Sequence, residues 1–113
     1  MYTLAIEDIV EVPVKFTLKV RKVNKQFAFT LLCTRLEQEE IASRMQELEF
    51  KFKDFMQSPE LVSGWEDQRL VLGDDGQPAA FSAEALSMLL KTQGVAKVCF
   101  DAYTRECGAK EKN

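Results

Sequence analysis

Histidine is absent from the 113 residues, glycine occurs only five times and proline three times, and there is a single tryptophan. Without histidine the chain has no imidazole general base and no usual partner for a Ser or Cys nucleophile. The three cysteines, Cys33, Cys99 and Cys107, show no C-x-x-C spacing. Zinc wants four thiolate or imidazole ligands, so scattered thiols argue against it, and the odd count reads as free thiols, two of them in the core. No apolar run approaches the roughly 18 residues of a membrane span. The first residues, Met1-Tyr2-Thr3-Leu4-Ala5-Ile6-Glu7-Asp8, have no basic leader and carry acids where a signal peptide is apolar. A cytoplasmic chain with no membrane partner is expected. Net positive charge is lacking too: the formal charge is −3, so no overall field recruits nucleic acid.

What is present suits one globular domain, 1–113, with a modest core: 46% hydrophobic and 29% charged residues. From 12 to 22 the sequence VPVKFTLKVRK alternates, placing Val12, Val14, Phe16, Leu18 and Val20 on one face. Pro13 near its start suits an edge strand. Phe27, Phe29, Leu31 and Cys33 alternate again, and Val23-Asn24-Lys25 reads as the turn of a hairpin. Leu4 to Val10 is ambiguous between a loop and a further short strand. The region 1–34 is therefore a strand and hairpin region, and 35–113 a helical one.

Thr34 and Glu37 fit a capping box, after which Ile41, Met45, Leu48, Phe52 and Phe55 form one apolar helical stripe that ends at Ser58-Pro59. An irregular connector, 58–81, follows, with a short extended piece at Arg69 to Leu72. Ser82 is a good N-cap, Phe81 and Leu86 fit a hydrophobic staple, and Leu86, Leu89 and Leu90 make the buried face of the next helix, which Gly94 ends. A last helix from Val95 to Cys107 buries Val95, Val98, Cys99 and Ala102 and is capped by Gly108; the tail after it is polar and frayed. The fold class is α+β, an N-terminal β-hairpin followed by about three helices.

Asp74-Asp75-Gly76 raises the question of a metal loop. With Gly76 at the EF-hand glycine, Val71 and Gly73 fall on ligand positions and Ser82 where a bidentate glutamate belongs, so the pattern fails. No phosphate-binding glycine motif is present either. The stretch reads as a corner, with Gly76 at positive φ and Pro78 stiffening the exit. No catalytic, metal or cofactor residues emerge, and no enzyme is expected.

Lys15, Lys19, Arg21, Lys22 and Lys25 gather on the hairpin's outer face and tip, while Glu37, Glu39, Glu40, Glu47 and Glu49 crowd the first helix. The aromatic residues of the hairpin point to its other face, which argues against nucleic acid; a solvated strand face or an acidic protein partner remains. Phe50 lies nearly opposite the stripe of its helix, either packed under another element or offered to a partner. Phe100, with Tyr103 and Cys107 beside it, and Met88 are similarly off the buried faces. Trp65 either anchors the connector on the helices or touches a partner.

Gly64-Trp65-Glu66, Asp75-Gly76-Gln77-Pro78, Phe81-Ser82-Ala83-Glu84-Ala85-Leu86 and Leu89-Leu90, in this order and spacing, resemble the tail assembly chaperones of long-tailed bacteriophages. The likeness covers most of residues 27–113, including the amphipathic segment before Trp65 and the polar end Lys112-Asn113. Ala79-Ala80 departs from it, standing where a more polar or proline-containing pair is common. The resemblance implies a non-enzymatic prophage or phage factor that binds and solubilises the tape-measure protein and helps recruit the tail-tube protein. It implies a chaperone confined to the host cytoplasm and absent from the mature virion, in families that often also make a longer frameshifted form. Partner contact or self-association into a homo-oligomer is then expected of Phe50, Phe52, Phe55 and Met56, of Leu86, Met88, Leu89 and Leu90, and of Trp65 and Phe100. The alternative is a structural tail or virion component that assembles through the hairpin edge.

Overall fold

The computed structural model describes residues 1–109. In chain order it has β1 (Ile9–Val20), β2 (Val23–Thr34), α1 (Gln38–Glu47), α2 (Phe52–Met56), β3 (Val62–Glu66), α3 (Ala83–Lys91) and α4 (Val95–Cys107). The strands form one antiparallel sheet in the order β1-β2-β3 and the helices follow or flank them, an α+β fold. The end of the tail, Lys112-Asn113, lies outside the described residues.

Apolar side chains occupy even positions in the first strand and odd positions in the second. Cross-strand partners on one face must therefore add to an odd number, which only an even-length loop permits. A loop at 23–25 has the wrong parity. The chain turns instead at Arg21 and Lys22, with Arg21 at φ 58°, and pairs Val14 with Phe29, Phe16 with Phe27 and Val20 with Val23. Of the ambiguous segment before it, only Ile9 and Val10 enter the strand. Phe16 stacks on Phe27 at 5.8 Å and meets Phe29 edge-on at 5.8 Å. Pro13 lies on the sheet's edge strand, where its missing N–H costs no ladder bond.

The capping box does not form. Glu37 is the N-cap residue and makes no side-chain cap bond. Thr34 is still in β2, its hydroxyl donating to the Glu60 carbonyl at 2.8 Å. The stripe from Ile41 to Phe55 is also split between two helices. Glu49 and Phe50 take φ 56° and 61°, and Phe50 N–H bonds to Met45 O at 2.7 Å while Glu49 N–H bonds to Gln46 O at 3.1 Å. This pair of bonds is a Schellman termination with Glu49 in the place glycine usually takes. A left-handed L-residue costs roughly 1–2 kcal/mol. The break offsets that by turning Phe52 and Phe55 onto α4, where they meet Phe100 at 5.0 and 5.1 Å.

The connector holds a strand that the sequence reading misses. β3 pairs along Thr30–Cys33 of β2, with an irregularity between Leu32 and Cys33. Gly64 allows the close approach, since a Cβ there would meet Leu32 Cδ1 at 3.3 Å. Beyond β3 the expected extended piece reduces to a single bridge, Leu72 to Pro78. The corner itself is as read: Gly76 has φ 78° and its N–H reaches Gly73 O at 3.0 Å. Buried Gln68 holds this corner from beneath, donating to Val71 O at 2.8 Å and Ala79 O at 3.1 Å while accepting from the Val71 N–H at 2.9 Å.

Ser82 caps α3 by accepting from the Ala85 N–H at 3.0 Å. Phe81 packs edge-on against Trp65 at 5.2 Å. Gly94, at φ 83°, is the N-cap of α4 rather than the last cap of α3. Leu86, Leu89 and Leu90 face the core, and so do Val95, Cys99, Ala102 and Tyr103; Val98 is only half-buried. α4 packs along β1, α2 and α3, and one contiguous core joins sheet and helices.

Candidate interaction groove

Where α1 breaks, a groove of about 540 Å³ opens between α1, the start of α2 and the C-terminal half of α4. Three short runs build its walls. Leu36, Ile41 and Met45 come from the approach to α1 and its inner face, Phe50 and Phe52 from the break, and Phe100, Thr104 and Cys107 from one stripe of α4. Met45 and Phe50 are the two positions between which a Schellman turn commonly makes its apolar contact. Phe50 is 66% exposed at the rim, and the walls beneath it are chiefly apolar.

Tyr103, next to the groove-lining Thr104, is itself fully buried. Its hydroxyl donates to Thr34 O at 2.7 Å and accepts from the Leu36 N–H at 3.1 Å. Burial, followed by its hydrogen bond with Cys107, pushes the phenol above its ordinary range. Arg35 donates through Nη1 to Cys107 O at 2.9 Å, and its N–H reaches Asp8 O at 2.6 Å. The last turn of β2, the first residues of the chain and the end of α4 are thereby tied together. Cys33 and Cys99 are buried, and desolvation raises each thiol to about 12, with Cys107 and Cys99 adding to the shift at Cys33.

The structure gathers only part of the expected contact set. Phe50, Phe52 and Phe100 line this groove together. Phe55 and Met56, expected at a contact surface, are fully buried between α2 and the rest of the core. Leu86, Leu89 and Leu90 are 4%, 0% and 3% exposed, so the leucine face is spent on the chain's own packing. Trp65 is half-buried in β3, donating to Ala79 O at 3.2 Å and lining a separate hollow with Phe81 and Pro78. Met88 is 59% exposed on the outer side of α3, outside the lining of the groove. Cys107, read beside Phe100 as off the buried face, does line the groove, whereas Tyr103, read with it, is fully buried; Leu36, Ala42 and Thr104 line the groove without having been singled out for it. The spacing of Phe100, Thr104 and Cys107 was their signal, an i, i+4, i+7 stripe that is separate from the core stripe of the same helix.

The basic side chains Lys15, Lys19, Arg21, Lys22 and Lys25 are all exposed. Lys25 differs from the expected outer face, being paired with Leu18 and lying over the Phe27 ring at 5.4 Å. Among the described residues, no helix is long and apolar enough to cross a membrane, and no group of three Cys, Asp or Glu side chains is placed to hold a metal ion. Comparison of the chain with models of protein families, with curated proteins and with solved structures finds no match.

Proposed function

We propose that this protein is a non-enzymatic assembly chaperone of the phage-tail type, acting in the bacterial cytoplasm, and that its groove receives an apolar helical segment of the tape-measure protein. The observation that carries this reading is the exposed Phe50 standing at the rim of a chiefly apolar groove. An exposed aromatic held in a left-handed backbone position is a costly feature for a small domain to keep without a contact to make. An amphipathic helix presents anchors at i, i+3, i+4 and i+7, which suits a groove walled by helices. Burying those anchors would keep a long, apolar, aggregation-prone partner in solution before tail-tube subunits surround it.

Co-expression with the tape-measure gene of the same cluster tests the reading. Its soluble yield is expected to rise with this protein and to fall back with Phe50→Ser, a change at an exposed side chain that is expected to leave the fold intact. No gain in solubility with the unaltered chain overturns it.

A second reading, a structural tail component assembling through the hairpin edge, is favoured by one observation. β3 pairs only with Thr30–Cys33, which leaves the outer edge of β2 open from Asn24 to Phe29. Mass spectrometry of finished particles separates the two: the chaperone is absent from them and a structural subunit is present.

A further inference from the structure

Two clusters of like charge stand far apart in the fold. Five bases, Lys15, Lys19, Arg21, Lys22 and Lys25, sit on the distal half of the hairpin, and no acid occurs between Val12 and Leu36. From Glu37 to Glu49 there are five acids and one base, Arg44, which is already paired with Glu40 at 2.9 Å. The acids belong to α1 and its flanks, which begin where β2 ends.

β2 runs unbroken from Val23 to Thr34, so at roughly 3.3 Å per residue the hairpin tip lies about 36 Å from the strand end that leads into α1. The helical layer follows the same axis. Val95, at the start of α4, lies with Phe16 and Leu18, Ala102 with Pro13 and Lys15, and Cys107 with Arg35 and Leu36. α4 is therefore antiparallel to β1, and the groove at its C-terminal end and the basic tip are at opposite ends of a molecule 54 Å long. The tip cannot reach its own α1, and among the described residues no ion pair joins the two regions.

The two ends match in more than sign. At the tip Val20 and Val23, 50% and 67% exposed, form an apolar pair between Lys19, Arg21 and Lys22. At the other end Phe50 stands exposed at the rim of an apolar groove, next in sequence to Glu49, which is paired with Lys51 at 3.7 Å, while the exposed Glu39, Glu40 and Glu47 lie on α1 outside the groove lining. The tip also has free backbone, since β3 covers β2 only from Thr30 onward.

We infer that the basic hairpin tip of one copy docks on the acidic α1 end of a second copy, its Val20–Val23 pair against the groove rim at Phe50. The contact is head-to-tail, so each copy keeps one free tip and one free groove, and the assembly grows as a ring or an open chain. Opposite charge steers and registers the pairing, and the apolar pair supplies the burial. This goes beyond the chaperone reading and holds whether or not a tape-measure helix uses the groove; if both are true, the second copy and the helix compete for it.

Sedimentation velocity on the full chain tests it. The unaltered protein is expected to associate at about 0.1 M salt and to fall towards monomer at about 1 M, as the Debye length shrinks from about 10 Å to about 3 Å. An arm variant, Lys19→Glu with Arg21→Glu and Lys22→Glu, and a helix variant, Glu39→Lys with Glu47→Lys, should each weaken self-association by at least about tenfold. All five side chains are exposed, and far-UV circular dichroism checks that each variant is folded. An equimolar mixture of the two variants should associate again, because the acidic arm of one meets the basic helix of the other. A monomer at every salt concentration, association indifferent to both reversals, or a mixture of folded variants that stays monomeric overturns the inference. None of these outcomes depends on a tape-measure protein being present.

Discussion

The hydroxyl of Tyr103 donates to the carbonyl of Thr34 at 2.7 Å, joining the last residue of β2 to α4 across 69 positions of sequence. The same oxygen accepts the Leu36 N–H at 3.1 Å, and the ring lies 6.0 Å from Phe55. One side chain therefore ties the end of β2 to α4 and fills the core. Tyr103→Phe keeps the ring and leaves the Thr34 carbonyl and the Leu36 N–H without this partner. Leaving a buried polar group unsatisfied costs about 1–3 kcal/mol, so the variant should unfold at lower denaturant with an unchanged m-value. An unaltered midpoint would show that water replaces the hydroxyl at no cost.

Cys33 and Cys99 predict a loss of stability in alkali. Each thiol rises from 9.0 unfolded to about 12 folded, because burial disfavours the thiolate. Below pH 9 both states hold the proton and stability does not vary on this account. Between about pH 9 and 12 the unfolded chain releases protons that the native chain keeps, and stability falls by up to about 1.4 kcal/mol per pH unit for each thiol. Urea titrations at pH 8 and pH 10.5 measure this. The double substitution Cys33→Ala and Cys99→Ala should reduce the slope although it lowers stability overall, with the remainder due to the raised phenol of Tyr103; a slope left unchanged would place the titration elsewhere.

Phe50 and Leu89 separate surface from core. Phe50 is exposed at φ 61°, a conformation glycine adopts without strain. Phe50→Gly should therefore hold or raise the melting temperature while removing the rim of the groove and weakening partner binding. Leu89 is fully buried, and Leu89→Ala should cost about 2–5 kcal/mol through the cavity it leaves. Thermal melts of the two variants check the assignment. A large loss at Phe50 would return that ring to the core.

Local pattern alone made much of this fold readable. Strict alternation identified the inward faces of β1 and β2, because a strand shows its side chains to opposite sides with a period of two. Ser82 before a leucine stripe marked α3 and Gly108 marked the end of α4, because caps act within a few residues of the groups they satisfy; Gly94, read as the end of α3, instead caps the start of α4. The Gly76 corner was legible for the same reason. The turn at Arg21-Lys22 was within reach of the sequence as well, through the even and odd parity of the two apolar sets.

Other features had no local sign. Glu49-Phe50 contains neither glycine nor proline, and the apolar spacing runs on through it, so the break between α1 and α2 was invisible until Phe52 and Phe55 had α4 to pack against. β3 is five residues with a glycine at its centre, and it becomes a strand because β2 offers it an open edge. The same reason divides the proposed contact residues. An apolar stripe states that a face must leave water, but not what covers it. For Leu86, Leu89, Leu90, Phe55 and Met56 the cover is the chain's own core, while Phe50 is left outside. The sequence by itself determined which residues avoid water and where the chain can turn, since both depend on near neighbours. Only the tertiary structure decided which apolar faces remained open, because that depends on how the elements share a limited interior.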